Sequence, residues 1–248
     1  MKFNTMIKLK SKINGFLVTT IYFANRPTIW TNLLSTFRST KSTNNYFCFR
    51  RSEINTLINT LNVSDIDLLK SFSKNTTYEI MRSIRDNLIE IDTDATMSEF
   101  VPLYNEFATS RNWKNFRVRD EMLNNYRITI CKLNNKPIIS HLYFLDYNSM
   151  RVCLESSVSI PDNINNGVSK SFIGRSNRHL HYADMLCFKN MGFELYDFGG
   201  FDNNNTMDEK KTGINKFKSG FNGTLVYESN YVSYPLLVLF RIKKLLRL

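Results

Sequence analysis

The residue types that build metal centres are scarce here: the chain has four cysteines and three histidines in 248 residues. No cysteine pair has CxxC spacing and no His/Cys cluster forms, so no metal cofactor is expected. Cys48, Cys131, Cys153 and Cys187 stand far apart, which fits free thiols in a reducing compartment, with two disulfides as the alternative. Five prolines and nine glycines exclude a collagen-like or Gly/Pro-rich disordered chain, and there is no internal repeat. Nor does any run reach the ~20 apolar residues that a membrane-spanning helix requires. The run Phe16 to Ala24 follows Lys8, Lys10 and Lys12 and imitates a secretory leader. It is broken by Thr19-Thr20 and enters Asn25-Arg26-Pro27 without a small-x-small cleavage site, so a buried strand explains it better and a cytoplasmic protein is expected.

Acidic residues are also in deficit. Lys and Arg number 33 against 22 Asp and Glu, a net charge of +11, which suits a polyanionic partner: nucleic acid, anionic lipid, coenzyme A or a nucleotide-linked sugar. The basic residues are dispersed and no zinc-finger or RRM signature is present, which makes a nucleic-acid-binding protein the less favoured class. What the chain does have is apolar mass, 42% hydrophobic and 13% aromatic, ample for a packed core.

Periodicity divides it into elements. Asp65 to Asn87 reads as a helix broken near Lys74-Asn75, Leu88 to Ile91 as a short strand, and Thr96 opens a second helix with Phe100, Leu103, Tyr104 and Phe107 on one face. From Tyr126 the period becomes extended. Three strands, ending at Leu133, Leu145 and Ile160, form an antiparallel meander with turns at Asn134-Asn135-Lys136-Pro137 and Asp146 to Ser149. A helix from about Arg175 to Met191 is closed by Gly192, and the strand Phe193 to Phe198 ends at Gly199-Gly200. A loop with a short helix and a strand Thr224 to Glu228 follow. Earlier, Tyr46 to Phe49 reads as a strand. The expectation is an α/β fold on a mixed, mostly antiparallel sheet flanked by helices, with residues 1–64 as an N-terminal extension packed on a domain of residues 65–248. The last segment, Leu236 to Leu248, is an amphipathic helix that packs on the domain, joins a dimer or touches anionic membrane.

The block Gly174-Arg175-Ser176-Asn177-Arg178 falls where that later helix is expected to open. Helix-start amides lack intrahelical partners and attract anions. Gly174 allows close approach, and Arg175 and Arg178 add charge where a pyrophosphate would lie. A basic cap with no ligand is the alternative.

Together with the third meander strand and the strand after it, this block resembles the core of the GNAT superfamily of acyltransferases, whose pyrophosphate loop opens the helix after the fourth strand. The common R/Q-x-x-G-x-G/A order is altered, because Gly174 precedes the arginines. A narrower resemblance, from about Leu68 to Tyr234, is to the FemAB-like branch. It rests on Phe72 to Ile80, His141-Leu142-Tyr143, Asn177 with Leu180, Tyr196-Asp197-Phe198-Gly199-Gly200, Phe217-Lys218 and Phe221-Asn222-Gly223. Members with two GNAT-like domains transfer amino acids from aminoacyl-tRNA to peptidoglycan precursors. The single-domain pattern looks more like sugar N-acyltransferases of surface-polysaccharide (O-antigen) pathways, which implies an acyl-CoA, such as acetyl- or 3-hydroxybutanoyl-CoA, and a nucleotide-linked amino sugar such as dTDP-3-amino-3,6-dideoxyhexose. The resemblance places the pantetheine at Ser157, Val158 and Ser159, where GNAT strands splay apart.

Amide formation needs a proton acceptor for the amine. Two carboxylates compete for the role: Glu155, whose pKa burial would raise, and Asp197 at a strand end. His141 is either a second base or a hydrogen-bonded core group. A Cys131/His141 nucleophile pair is disfavoured, because direct transfer needs no covalent intermediate. Asp202, Lys216 and Lys218 sit in a loop suited to close over the acceptor, with Lys216 or Lys218 near a diphosphate.

Overall fold

The structure, a computed structural model, describes residues 7–13, 15–29, 33–116, 125–160, 167–201 and 209–245, with side chains except at 13, 209–211 and 243–245. In chain order the elements are β1 (Ile7–Ile13), β2 (Phe16–Tyr22), β3 (Ser35–Thr40), β4 (Phe49–Thr60), α1 (Asp65–Ser71), α2 (Lys74–Asp86), β5 (Ile89–Ala95), α3 (Met97–Ser110), β6 (Tyr126–Leu133), β7 (Lys136–Asp146), β8 (Arg151–Ser159), α4 (Lys170–Asn190), β9 (Leu195–Gly200), α5 (Glu209–Ser219), β10 (Thr224–Ser233) and α6 (Tyr234–Leu245). Two compact units result. Among the described residues the first holds 7–56, 200–201 and 225–245, and the second holds 57–199 and 209–224.

The first unit is not the simple N-terminal extension expected. Its strands run β1-β2-β3-β10 and then the start of β4. Strand β10 pairs antiparallel with β3, Tyr231 opposite Phe37, which draws the C-terminal strand and α6 onto the N-terminal strands. The core is Ile21, Ala24, Phe37, Phe49 and Tyr231, and the Tyr231 hydroxyl lies within hydrogen-bond reach of the carbonyls of Ser42 (2.8 Å) and Asn44 (2.7 Å), between which its one proton is shared. The expected strand at Phe16 is β2, antiparallel to β1. Lys8, Lys10 and Lys12 project from alternate positions of β1 into solvent, the charge placement that keeps an edge strand from pairing with another chain. Strands β3 and β4 were not foreseen beyond Phe49, because Ser-Thr-Phe-Arg-Ser-Thr and Arg-Arg-Ser-Glu lack apolar alternation. On α6, Leu236 is buried while Val238, Phe240 and Ile242 stand exposed. No helix among the described residues is long and apolar enough to cross a membrane.

In the second unit the end of β4 is followed by β9-β8-β7-β6-β5. Strands β5 to β8 form the expected antiparallel meander, and β9 lies parallel to β8. Asn134 and Asn135 both take the left-handed conformation (φ 50° and 62°) that a two-residue hairpin demands. Successive strand residues face opposite sides. Ile128, Ile130 and Leu142 therefore pack on Phe100 and Leu103 of α3, while Cys131 and Ile139 pack on Leu180 of α4. The break between α1 and α2 falls at Phe72-Ser73, slightly before the expected point, because the Ser73 hydroxyl caps the Thr76 amide at 3.3 Å.

The ladder between β8 and β9 is short: Arg151, Val152 and Cys153 stand opposite Leu195, Tyr196 and Asp197, and β8 continues to Ser159 still paired with β7. Gly199 turns the end of β9 with φ +67°, and a Cβ there would meet the Leu154 carbonyl oxygen at 2.6 Å. Gly199→Ala combines left-handed strain with a backbone clash, and urea denaturation is expected to show a loss of about 2 kcal/mol.

Candidate active site

Helix α4 opens at Lys170, not near Arg175. Ser169 is its N-cap, accepting the Phe172 amide at 3.2 Å, so the free first-turn amides precede Gly174. Gly174, Arg175, Ser176, Asn177 and Arg178 lie inside the helix with their amides pointing along it, and they do not form the anion mouth expected of them. A glycine can sit within a helix at a cost of ~1 kcal/mol, so it marked no boundary. Arg175 is turned to Asp86 of α2 at 3.5 Å and packs over Phe172. Arg178 donates to the Gly174 carbonyl at 2.9 Å and lies over the Phe217 ring. Ser176 is fully buried, and its hydroxyl has no hydrogen-bond partner among the described residues.

The inward stripe of α4 instead carries polar groups: Ser176, Leu180, His181, Asp184, Met185 and Phe188 are all buried. Against it β7 presents His141 and Tyr143, two residues apart and on one face, and β9 presents Tyr196. His141 Nδ1 lies 2.7 Å from Asp184 Oδ2 and its Nε2 lies 2.8 Å from Asn177 Oδ1. The Tyr143 hydroxyl donates to the same carboxylate oxygen at 2.5 Å and is 2.6 Å from the Tyr196 hydroxyl, which is 2.6 Å from His181 Nδ1. The two imidazoles stack, centroids 4.1 Å apart. His141, Tyr143, Asp184, His181 and Tyr196 are at most 1% exposed.

Burial sets the protonation of this cluster. It pushes the Tyr143 and Tyr196 phenols well above their ordinary range, reinforced by the Asp184 carboxylate, so both keep their protons. It pushes the His181 imidazole well below, helped by His141, Lys218 and Arg178, so His181 is neutral. His141, His181 and Asp184 bring one ligand atom each within 4.8 Å of one another, a set that could in principle hold a metal ion. His141 Nδ1, Asp184 Oδ2 and His181 Nδ1 are engaged in hydrogen bonds, while Asp184 Oδ1 is buried with no hydrogen-bond partner among the described residues.

The carboxylates expected as bases are placed differently. Glu155 is exposed on β8, without the burial expected of it. Asp197 is buried beside Arg151, whose Nε donates to it at 2.9 Å, and its other oxygen accepts the Gly199 amide at 2.8 Å. A carboxylate engaged on both oxygens anchors a strand end and is poorly placed to take a proton. Ser157 is exposed and Ser159 half-buried on the part of β8 beyond the β9 ladder, while the Val158 side chain belongs to the α3 core. Burial pushes the Cys131 thiol up to about 12, so it is no thiolate nucleophile; all four cysteines are free. Lys216 is exposed. Lys218 is half-buried and donates to the Gly199 carbonyl at 3.4 Å, and burial pulls its pKa down to about 8 against the opposing pull of Asp197. Asp202 lies outside the described residues.

No family model matches the chain, and no curated protein matches it in sequence. Among solved structures it is similar to FemX, with TM-score 0.64 and 11% identity over 95% of this chain and 85% of that one. It is also similar to L-PGS from Bacillus licheniformis (TM-score 0.61, 11% identity, 94% and 84% covered). A third is the C-terminal domain of a putative lysylphosphatidylglycerol synthetase from Agrobacterium fabrum (TM-score 0.58, 9% identity, 96% and 85% covered). At such identities the likeness is one of fold. The chain shares with them the mixed α/β fold expected of it, a large sheet flanked by helices.

Sequence reasoning missed Tyr143, His181, Asp184 and Tyr196. A signal was available: Ser176, Leu180, Asp184 and Phe188 recur at i, i+4 spacing, which puts polar groups on an otherwise apolar stripe. Asp197→Asn removes the buried carboxylate that accepts from Arg151 and is expected to cost about 3–5 kcal/mol in urea denaturation. Exposed Lys216→Ala is expected to stay within about 0.5 kcal/mol.

Proposed function

We propose that this chain is an acyltransferase in which an amine attacks an activated carbonyl directly, the carbonyl lying where β8 runs past the end of its ladder with β9. The observation that carries this reading is that departure, with Lys218 at the terminus of β9. An attacked carbonyl develops negative charge on oxygen, and fixed N–H donors with a nearby cation lower that barrier. Lys218 is still charged at neutral pH, so it can supply the cation. The proposed donor is an acyl-CoA, such as acetyl- or 3-hydroxybutanoyl-CoA, held by the backbone of Ser157 to Ser159. The proposed acceptor is a nucleotide-linked amino sugar, as in O-antigen assembly.

A second reading is transfer from aminoacyl-tRNA, as in FemAB-like enzymes. It draws support from the position of Gly174 to Arg178 inside α4, which removes the expected grip on a coenzyme A pyrophosphate, and from the extent of the likeness to FemX.

The purified protein should be offered a panel of amino sugar nucleotides with several acyl-CoAs, with amine-dependent thiol release as the readout, and charged tRNAs in parallel. Thiol release supports the first reading and aminoacyl transfer alone the second; inertness toward every pair overturns both. For the active pair, kcat should fall as pH rises through about 8, because Lys218 loses its proton there. Lys218→Met should lower kcat by roughly 10²-fold or more, and Lys218→Arg should move the alkaline limb upward. An alkaline limb unchanged in Lys218→Arg removes Lys218 from this role.

A further inference from the structure

With Asp184 as an ionised acceptor, the hydrogen bonds that run from it through Tyr143 and Tyr196 to His181 take one consistent direction. Tyr143 has a single proton, and it goes to Asp184 Oδ2. Toward Tyr196 the Tyr143 oxygen can therefore only accept, so Tyr196 donates to it. With its proton committed, the Tyr196 oxygen can only accept from His181, which must carry its hydrogen on Nδ1. His181 is neutral, so Nε2 is left with a free lone pair, and no hydrogen-bond partner meets it among the described residues. Its ring lies beside Phe198 and Phe217 at 5.1 and 5.6 Å, the residues immediately before Gly199 and Lys218.

Resting on the acyl-transfer reading, we infer that His181 Nε2 receives the proton of the attacking amine and that Tyr196, Tyr143 and Asp184 relay the charge away from it. As the C–N bond forms and the C–S bond of a thioester, or the C–O bond of an ester, breaks, the amine proton moves to Nε2. The Nδ1 proton moves to Tyr196, that of Tyr196 to Tyr143, and that of Tyr143 to Asp184. The chain then runs back and the proton leaves on the departing thiolate or alkoxide. The relay ends at Asp184, whose Oδ2 accepts the Tyr143 proton, and His141 Nδ1 lies 2.7 Å from the same oxygen. The charged or titratable groups facing His181 are His141 and Tyr143 from β7, Arg178 and Asp184 from α4, Tyr196 from β9 and Lys218 from α5.

Three histidines make the test direct. In protein labelled with ¹⁵N at histidine, long-range ¹H–¹⁵N spectra should show His181 neutral with its proton on Nδ1, and Tyr196→Phe, which keeps the ring, should shift that proton to Nε2. With a donor and acceptor that the wild type turns over, Tyr196→Phe should lower kcat at least about tenfold while KM stays within about twofold. It should also displace the acidic limb of the kcat–pH profile. A wild-type His181 protonated on Nε2, or an unchanged kcat in Tyr196→Phe, overturns the relay alone. Zinc added by itself that shifts the His141 and His181 nitrogens but not those of His179 overturns it in favour of a metal site. Failure of the wild type with every donor overturns the acyl-transfer reading, and the relay's role with it, even where the tautomer is as expected.

Discussion

The second unit is organised around one buried carboxylate. Asp184 sits on the inward stripe of α4, fully enclosed, and an isolated charge there would be strongly unfavourable. It is tolerated because a histidine and a tyrosine from β7 both reach one of its oxygens. Apolar contacts such as Leu180 against Cys131 and Ile139 hold helix and sheet together, yet they would accept small rotations and slips. Hydrogen bonds of 2.5–2.7 Å to a single oxygen accept far less, so the polar cluster sets the register of α4 on the sheet.

That register has a consequence at β9. Tyr196 joins the network from β9 and aligns that strand with β8 over Cys153 and its two predecessors, while Asp197 ties β9 to Arg151. Past this point Gly199 turns the backbone against the Leu154 carbonyl and the ladder stops. The same few residues that fasten β9 at one end thus leave β8 with an edge beyond it, and place Lys218, on the segment that follows, beside that end. Structural anchoring and the candidate chemistry use neighbouring residues, with Asp197, one of the two carboxylates expected as a base, held by Arg151 and the Gly199 amide.

The legible parts of the chain were those where periodicity and chemistry agree. Phe100 and Leu103 on α3, the meander from Tyr126 to Ile160 and its paired asparagines, and the stop at Gly192 all carry local signals strong enough to read directly. Strands β3 and β4 were not, because a strand with one solvated face and a polar composition has no apolar alternation to betray it. The start of α4 was misplaced for a related reason: Gly174 and the arginines resemble a boundary, whereas the cap is a lone serine at 169, a residue type found equally in loops. Lys218 was picked out because it sits in the motif Phe217-Lys218, but its half-burial could not be foreseen from a lysine-rich segment.

Composition and pattern by themselves determined the class of fold and the order of its elements from α1 to β9, since these follow from short-range spacing and from what the chain lacks. Only the tertiary structure decided which polar residues meet. His141 and Asp184 are 43 residues apart, and Tyr143 and Tyr196 are 53 apart; nothing local to any of them distinguishes a satisfied core group from a member of a proton chain. That distinction depends on the face each strand and helix turns inward, and on a buried charge having to find its donors from other elements.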